Sequence, residues 1–244
     1  MPHPERSEVM SNDWRARATA SVATGDIEKW VGAELDNLAW YSTIEAIGEC
    51  GNANQATTAL DVGFGWGRIV VGMKRFYPHL TIDGVELTPE FVSRANQLAD
   101  DLGLKDLTLT QGDILTTPLP DAHYDLVYAT RVLHYIEDKP AALSRLFSTT
   151  KPGGKLVVLI PNRLNPIQSM TYEHALYSPT ALAKDVREAG FVDVNFSSAR
   201  FFPGGTSRRA DHTSPLLHLE RMLRRNRPSR WFGALAIITG TRPA

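Results

Sequence analysis

Residues 59–67 read Ala59-Leu60-Asp61-Val62-Gly63-Phe64-Gly65-Trp66-Gly67, and Arg68-Ile69-Val70-Val71 follows. A short apolar run ends in an acid, glycines then alternate with bulky residues, and a helical pattern begins. Glycine at alternate positions lets the backbone turn tightly and lie against a ligand with no side chain between them. The helix that follows aims its free N–H groups and the positive end of its dipole into the same space. Such a strand–turn–helix suits a nucleotide-like ligand.

Outward from this stretch, strands and helices alternate. The first strand is Thr58 to Val62, with a helix to about Phe76 that Pro78 ends. A second strand spans Thr81 to Leu87. Thr88-Pro89-Glu90 then reads as an N-cap with proline at the first helical position, and that helix stops at Gly103. Further strands are expected at Leu107–Gln111, Tyr124–Thr130 and Lys155–Ile160. The last follows a helix over Lys139–Thr149 and a Lys151-Pro152-Gly153-Gly154 turn. The first, fourth and fifth strands are nearly continuous apolar runs, as parallel strands covered on both faces should be. The fold class is therefore α/β, a Rossmann-like doubly wound sheet. Ligands of such sheets bind beyond the carboxyl ends of the strands, where Gly63, Glu86, Asp113, Thr130 and Pro161 fall.

The glycine spacing bears on the ligand. A nicotinamide-type fingerprint, G-x-G-x-x-G, needs its third glycine at position 68, but Arg68 stands there and the third glycine is Gly67. Glu86 ends the second strand, where a carboxylate can accept hydrogen bonds from two ribose hydroxyls. Asp113 can accept from an adenine amino group while Ile114 packs on the ring. No second nucleotide-binding half follows.

With these pieces in order, the chain resembles the class I S-adenosylmethionine-dependent methyltransferases. The resemblance is carried by residues 60–67, by Gly84-Val85-Glu86-Leu87, Gly112-Asp113-Ile114, Tyr124-Asp125-Leu126-Val127-Tyr128-Ala129 and Lys151-Pro152-Gly153-Gly154. It covers about residues 58–161 closely and the remainder in outline, nearest to the small-molecule branch. It implies seven strands with the last antiparallel, a part that Gly233 to Thr241 fits. It also implies S-adenosylmethionine as cofactor, with S-adenosylhomocysteine as product. The cofactor-binding set would be Asp61, Gly63, Phe64, Gly65, Gly67, Glu86, Leu87, Asp113, Ile114 and Thr130. Of these, Asp61 and the glycine backbone approach the methionine part, Glu86 the ribose, and Asp113 with Ile114 the adenine. Asp125 is expected to brace its strand rather than meet ligand.

A sulfonium carries its own reactivity, so the protein's work is positioning, desolvation and, for an oxygen nucleophile, removal of a proton. His134, in Thr130-Arg131-Val132-Leu133-His134-Tyr135 after the fourth strand, is the candidate base. Local packing is the competing role for it. Arg131 and Tyr135 share its loop as acceptor-site candidates. His174 and His212 lie in irregular segments expected to roof the site, and Tyr41 on a helix that can fold over it. Spacing and carboxylate clustering argue against a metal site. The loop also lacks the Asn/Asp-Pro-Pro-Tyr-like pattern of many amide and adenine N-methyltransferases.

Residues 1–57 are expected to form an N-terminal extension or cap, starting with a polar stretch to about residue 12. Trp14 to Gly48 then carries apolar residues at helical spacing, with Asp26 able to cap a second helix. Residues 58–244 form the cofactor-binding domain. It has acceptor-facing insertions at about 162–178 and 199–226, where Arg208, Arg209 and Asp211 could meet polar or phosphate-bearing acceptors. Helices led by Ser178-Pro179 and Ser214-Pro215 flank a strand at Phe191–Ser197.

The 244 residues carry a net charge of −1, which gives no general pull toward nucleic acid or an anionic membrane. Arg221, Arg224, Arg225, Arg227 and Arg230 form a basic run near a helix end, but no aromatics interleave to stack bases. Cys50 is the single cysteine, which excludes an internal disulfide and fits a reducing cytoplasm. The N-terminus has no apolar signal-like segment, and no window approaches a membrane span. The expected function is O-methylation of a small or lipid- or sugar-linked molecule, such as a natural product, with a second copy of the chain as a candidate partner. N-methylation of a small molecule or RNA stands as the alternative within enzymes. A non-catalytic cofactor-binding regulator and an NAD-dependent oxidoreductase are the alternatives outside that class.

Overall fold

The computed structural model describes residues 37–165, 178–202, 211 and 213–244, the side chains of Arg227 and Arg230 excepted. The helical reading of residues 14–35 and its Asp26 cap lie outside these. So do Arg208, Arg209, His174 and His212.

The first described helix, α1 (Leu38–Cys50), begins where Asn37 takes an extended backbone and its side chain accepts from Trp40 N at 2.9 Å. Asn37 serves as its N-cap because a side-chain oxygen there satisfies a free N–H at the helix start. The helix also runs two residues past Gly48. Next come β1 (Thr58–Val62), α2 (Arg68–Phe76), β2 (Thr81–Glu86), α3 (Pro89–Asp101) and β3 (Leu107–Gln111). They are followed by β4 (Tyr124–Thr130), a 3-10 turn at Leu133–Tyr135, α4 (Lys139–Thr149) and β5 (Thr150–Pro161). The chain continues with α5 (Pro179–Glu188), β6 (Val192–Ala199), α6 (Pro215–Arg225), a 3-10 turn at Arg227–Trp231, and β7 (Leu235–Thr241).

The seven strands form one sheet in the order β3-β2-β1-β4-β5-β7-β6. β7 runs antiparallel to both of its neighbours, and the pairs among β1 to β5 are parallel. β5 starts five residues earlier than expected. Thr150 already pairs with Tyr124, and Pro152-Gly153-Gly154 forms an irregularity within the strand, where Gly153 N reaches Arg242 O at 2.8 Å.

Side chains alternate across the sheet and divide the core in two. Ala59, Leu126, Tyr128, Val157, Leu159 and Ile237 pack with α1, α2, α3 and α6. Leu60, Val127, Val158, Ile160 and Ile238 pack with α4 and α5. Two covered faces are why β1, β4 and β5 read as unbroken apolar runs. The strand order reverses between β1 and β4, so the switch-point crevice opens at Gly63 and Thr130.

Asp125 braces the opposite edge. Its carboxylate accepts from Thr57 N (2.9 Å), Thr58 N (3.0 Å) and Lys151 Nζ (2.9 Å). Burial pushes its pKa up, but these hydrogen bonds outweigh that and hold it well below the usual carboxylate range. The C-terminal basic run also has a structural explanation. Arg221 pairs with Glu45, and Arg224 (3.1 Å) and Arg225 (3.3 Å) pair with Glu49, tying α6 to α1.

Candidate active site

The three glycines of the turn do different work. A Cβ on Gly63 would lie 2.4 Å from Val132, so its absence lets the turn close against the segment after β4. A Cβ on Gly67 would lie 2.8 Å from Ala95, so its absence lets α2 approach α3. Gly65 has a φ of +54°, and a Cβ there would meet nothing within 4 Å. The open side of the turn is therefore at Gly65. Phe64 points the other way: its ring is buried beneath β2, where Gly84 leaves the room, so only its backbone faces the crevice.

Glu86 closes the flank. Its Oε2 accepts from Gly65 N at 3.0 Å and its Oε1 from Thr88 N at 2.9 Å, while its carbonyl accepts from Gly112 N at 2.9 Å. One residue joins the ends of β2 and β3 to the glycine turn. Thr88 does occupy the N-cap position of α3, but through this backbone contact and with no side-chain cap. Beyond it, Asp113 Oδ1 accepts from Leu115 N at 2.9 Å, Ile114 is buried, and Leu87 is exposed at the rim. The floor behaves differently. Asp61 is 1% exposed, and neither of its carboxylate oxygens has a hydrogen-bond partner. Tyr128, its register partner in β4, lies beside it without bonding geometry. Burial raises the Asp61 pKa well above the ordinary range; Tyr128 draws it down and the Glu86 charge pushes it up.

Across the switch point, Thr130 Oγ1 and His134 Nδ1 are also buried without partners. Burial, then the charges of Arg131 and Lys139, lower the His134 pKa to about 4, so the imidazole is neutral at neutral pH. Its ring lies 3.9 Å, centroid to centroid, from that of the exposed Tyr135. Tyr41 is placed elsewhere, with its ring packed against Trp40 (5.0 Å) and Phe76 at the far end of α2 (5.3 Å). A residue that the helical spacing alone did not single out stands nearer. Trp40 Nε1 donates to Arg68 O at 2.9 Å and so joins α1 to the first residue of α2.

These residues fit an adenosyl amino acid. Asp61 offers unpartnered oxygens to an ammonium, Gly65 leaves backbone open to it, and Glu86 and Asp113 keep acceptor capacity for ribose and adenine. A pyrophosphate in the same turn would face the carboxylates of Asp61 and Glu86.

A family model described as a methyltransferase domain matches residues 53–200. The chain belongs to the class I S-adenosylmethionine-dependent methyltransferases. Its cofactor is accordingly S-adenosylmethionine. An uncharacterised methyltransferase of Schizosaccharomyces pombe is 34% identical over 124 residues, 48% of this chain and 45% of that protein. A demethylmenaquinone methyltransferase of Deinococcus radiodurans is 31% identical over 109 residues, 44% of each. The chain thus spans about half the length of the curated relatives it matches. Among solved structures, a methyltransferase from Thermotoga maritima, described as a possible histamine N-methyltransferase, has a TM-score of 0.64 at 20% identity. That alignment covers 90% of this chain and 96% of the other. Among the described residues of this methyltransferase, no helix is long and apolar enough to cross a membrane, and no group of three or more His, Cys, Asp or Glu could hold a metal ion.

Proposed function

We propose that the chain transfers the methyl group of S-adenosylmethionine to an oxygen of a small or lipid- or sugar-linked acceptor, with S-adenosylhomocysteine as product. The observation that carries this reading is Asp61. Two unpartnered, buried oxygens at the floor of a glycine turn cost several kcal/mol unless a donor meets them. The ammonium of the cofactor's amino-acid part is such a donor, and it would restore the ionised carboxylate.

When bound, the cofactor supplies an electrophilic methyl on sulfur. The protein's share is then geometric and protic. The Gly65 backbone and Asp61 hold the amino-acid end, Glu86 the ribose, and Asp113 with Ile114 the adenine. Thr130 and Leu87 complete the walls. His134, neutral at neutral pH, takes the proton of the acceptor hydroxyl at Nδ1 as oxygen attacks, and Arg131 and Tyr135 border the acceptor. The absence of an amide-type motif in Thr130-Arg131-Val132-Leu133 favours oxygen over nitrogen.

Calorimetric titration with S-adenosylmethionine, S-adenosylhomocysteine and NAD tests the reading. Binding of both sulfur compounds and none of NAD is expected. Tight NAD binding with no response to the others would sink it.

A further inference from the structure

The middle of β4 is buried, and Leu126, Val127 and Ala129 bring no polar side-chain atom to it. Tyr128 interrupts that apolar run. It is fully buried, and its phenol oxygen has no hydrogen-bond partner. A buried hydroxyl left so costs free energy and is uncommon in a folded chain.

The residue opposite it is in the same condition. Asp61 on β1 is the register partner of Tyr128 on the neighbouring parallel strand. Such strands lie about 4.8 Å apart, and side chains two residues apart along a strand share a face. Ala59 and Leu126 lie on the face that packs with α1 and α2, so Asp61 and Tyr128 leave the sheet side by side on that face. Both Asp61 oxygens also lack partners. A donor and an acceptor thus stand next to each other, each buried and neither satisfied.

Their surroundings decide which form the acid takes. Tyr128 from β4 and Glu86 from β2 are the titratable groups that act on Asp61. Among the described residues no lysine, arginine or histidine hydrogen-bonds to it. Burial without a cation disfavours the carboxylate ion, and the Glu86 charge disfavours it further. An ammonium reverses this balance by supplying the opposite charge. The phenol O–H then has an ionised oxygen to donate to, and hydrogen bonds to ions are the stronger kind.

We propose that Asp61 and Tyr128 act as one proton-exchanging unit: Asp61 stays a neutral acid until the methyl donor's ammonium arrives, then loses its proton to solvent and accepts the Tyr128 hydroxyl. This rests on the methyl-donor reading of the glycine turn. The exchange balances in charge: the Asp61 O–H bond breaks, a proton leaves, and the ammonium takes its place. The Tyr128 O–H bond stays intact, which makes Tyr128 a positioning residue. Cofactor affinity then weakens as pH falls through the range where Asp61 is protonated, by up to about tenfold per pH unit.

The test is calorimetric titration with S-adenosylhomocysteine at about pH 6.5, in phosphate and in Bis-Tris, buffers of low and high ionisation enthalpy. The difference in heat should correspond to about one proton released per molecule bound. Tyr128→Phe, which keeps the ring, should weaken binding about tenfold at that pH and move the pH profile of affinity upward. Melting of the cofactor-free variant should not fall below wild type, because the phenol oxygen has no hydrogen bond there to lose. Binding without proton release, or a variant with wild-type affinity and pH profile, would overturn the proposal. So would a loss of affinity accompanied by a lower melting temperature and an unmoved profile, since Tyr128 would then serve packing alone. A wild-type protein that binds no S-adenosylhomocysteine at any pH would defeat the methyl-donor reading itself.

Discussion

Glu86 Oε2 accepts the Gly65 N–H at 3.0 Å across 21 residues of chain, so the residue expected to bind ribose also holds the turn expected to bind the methionine part. Its second oxygen is committed to Thr88 N. Glu86→Gln would turn an amide N–H₂ toward one of these N–H groups and leave it without an acceptor, at about 1–3 kcal/mol. S-adenosylhomocysteine affinity should fall tenfold or more in calorimetry, with a lower melting temperature. Loss of affinity at unchanged stability would mean that the carboxylate meets ligand without holding the turn.

The glycine turn separates binding from packing. At Gly65 a side chain enters open space, whereas at Gly67 it meets Ala95. Gly65→Val should abolish S-adenosylhomocysteine binding and cost on the order of 1–2 kcal/mol for its left-handed backbone. Gly67→Ala should destabilise the fold through the α2–α3 contact. Comparing calorimetry with thermal melts for both variants checks this. Equal stability losses and equal affinities would show that the two glycines serve one purpose.

Much of this geometry was legible in the chain. Residues 58–62 and 124–130 are strands as read, because the apolar runs are bounded by turn residues and two covered faces demand such runs. Residues 107–111 form an edge strand in which Leu109 is buried between the exposed Thr108 and Thr110. Asp61, Gly65 and Glu86 converge because their positions at strand ends place them on one edge. Other features depend on distant partners. Glu220 looks like one more helix-surface acid, and only the fold brings Arg200 and Phe201 to it. Tyr41 and Trp40 are neighbours on α1, yet only Trp40 reaches the head of α2, a matter of helix rotation that spacing does not fix. The Phe64 ring lies in the core because Gly84, on another strand, leaves space.

The α1–α6 link gives a prediction about residues far from the turn. Arg224 is 3% exposed at its side chain and meets both Glu49 (3.1 Å) and Ser42 O (3.2 Å), whereas Arg225 is 74% exposed. Removing one partner of a buried ion pair costs about 3–5 kcal/mol, less here because Glu49 is a third exposed. Arg224→Met should therefore lower stability to urea by on the order of 2 kcal/mol, and Arg225→Met by under about 0.5 kcal/mol. Equal effects would show that the link is a solvated surface pairing.

His134 ties catalysis to pH. Its folded pKa, about 4, lies below the 6.5 of an unconstrained histidine, so between those values the unfolded chain binds more protons than the folded one. The stability of its neutral form is complete above about pH 6.5 and is lost as pH falls toward 4. His134→Gln removes this titration. Its stability should fall less steeply over that interval, by up to about 1.4 kcal/mol per pH unit, the limit for one proton. Urea titrations at several pH values on both proteins measure the difference, and matching slopes would contradict the burial of the neutral ring. In methylation assays the same variant should lower turnover while S-adenosylmethionine affinity stays near wild type, because Asp61, Gly65 and Glu86 are untouched. Unchanged turnover would leave His134 a packing residue, with the proton of the acceptor passing elsewhere.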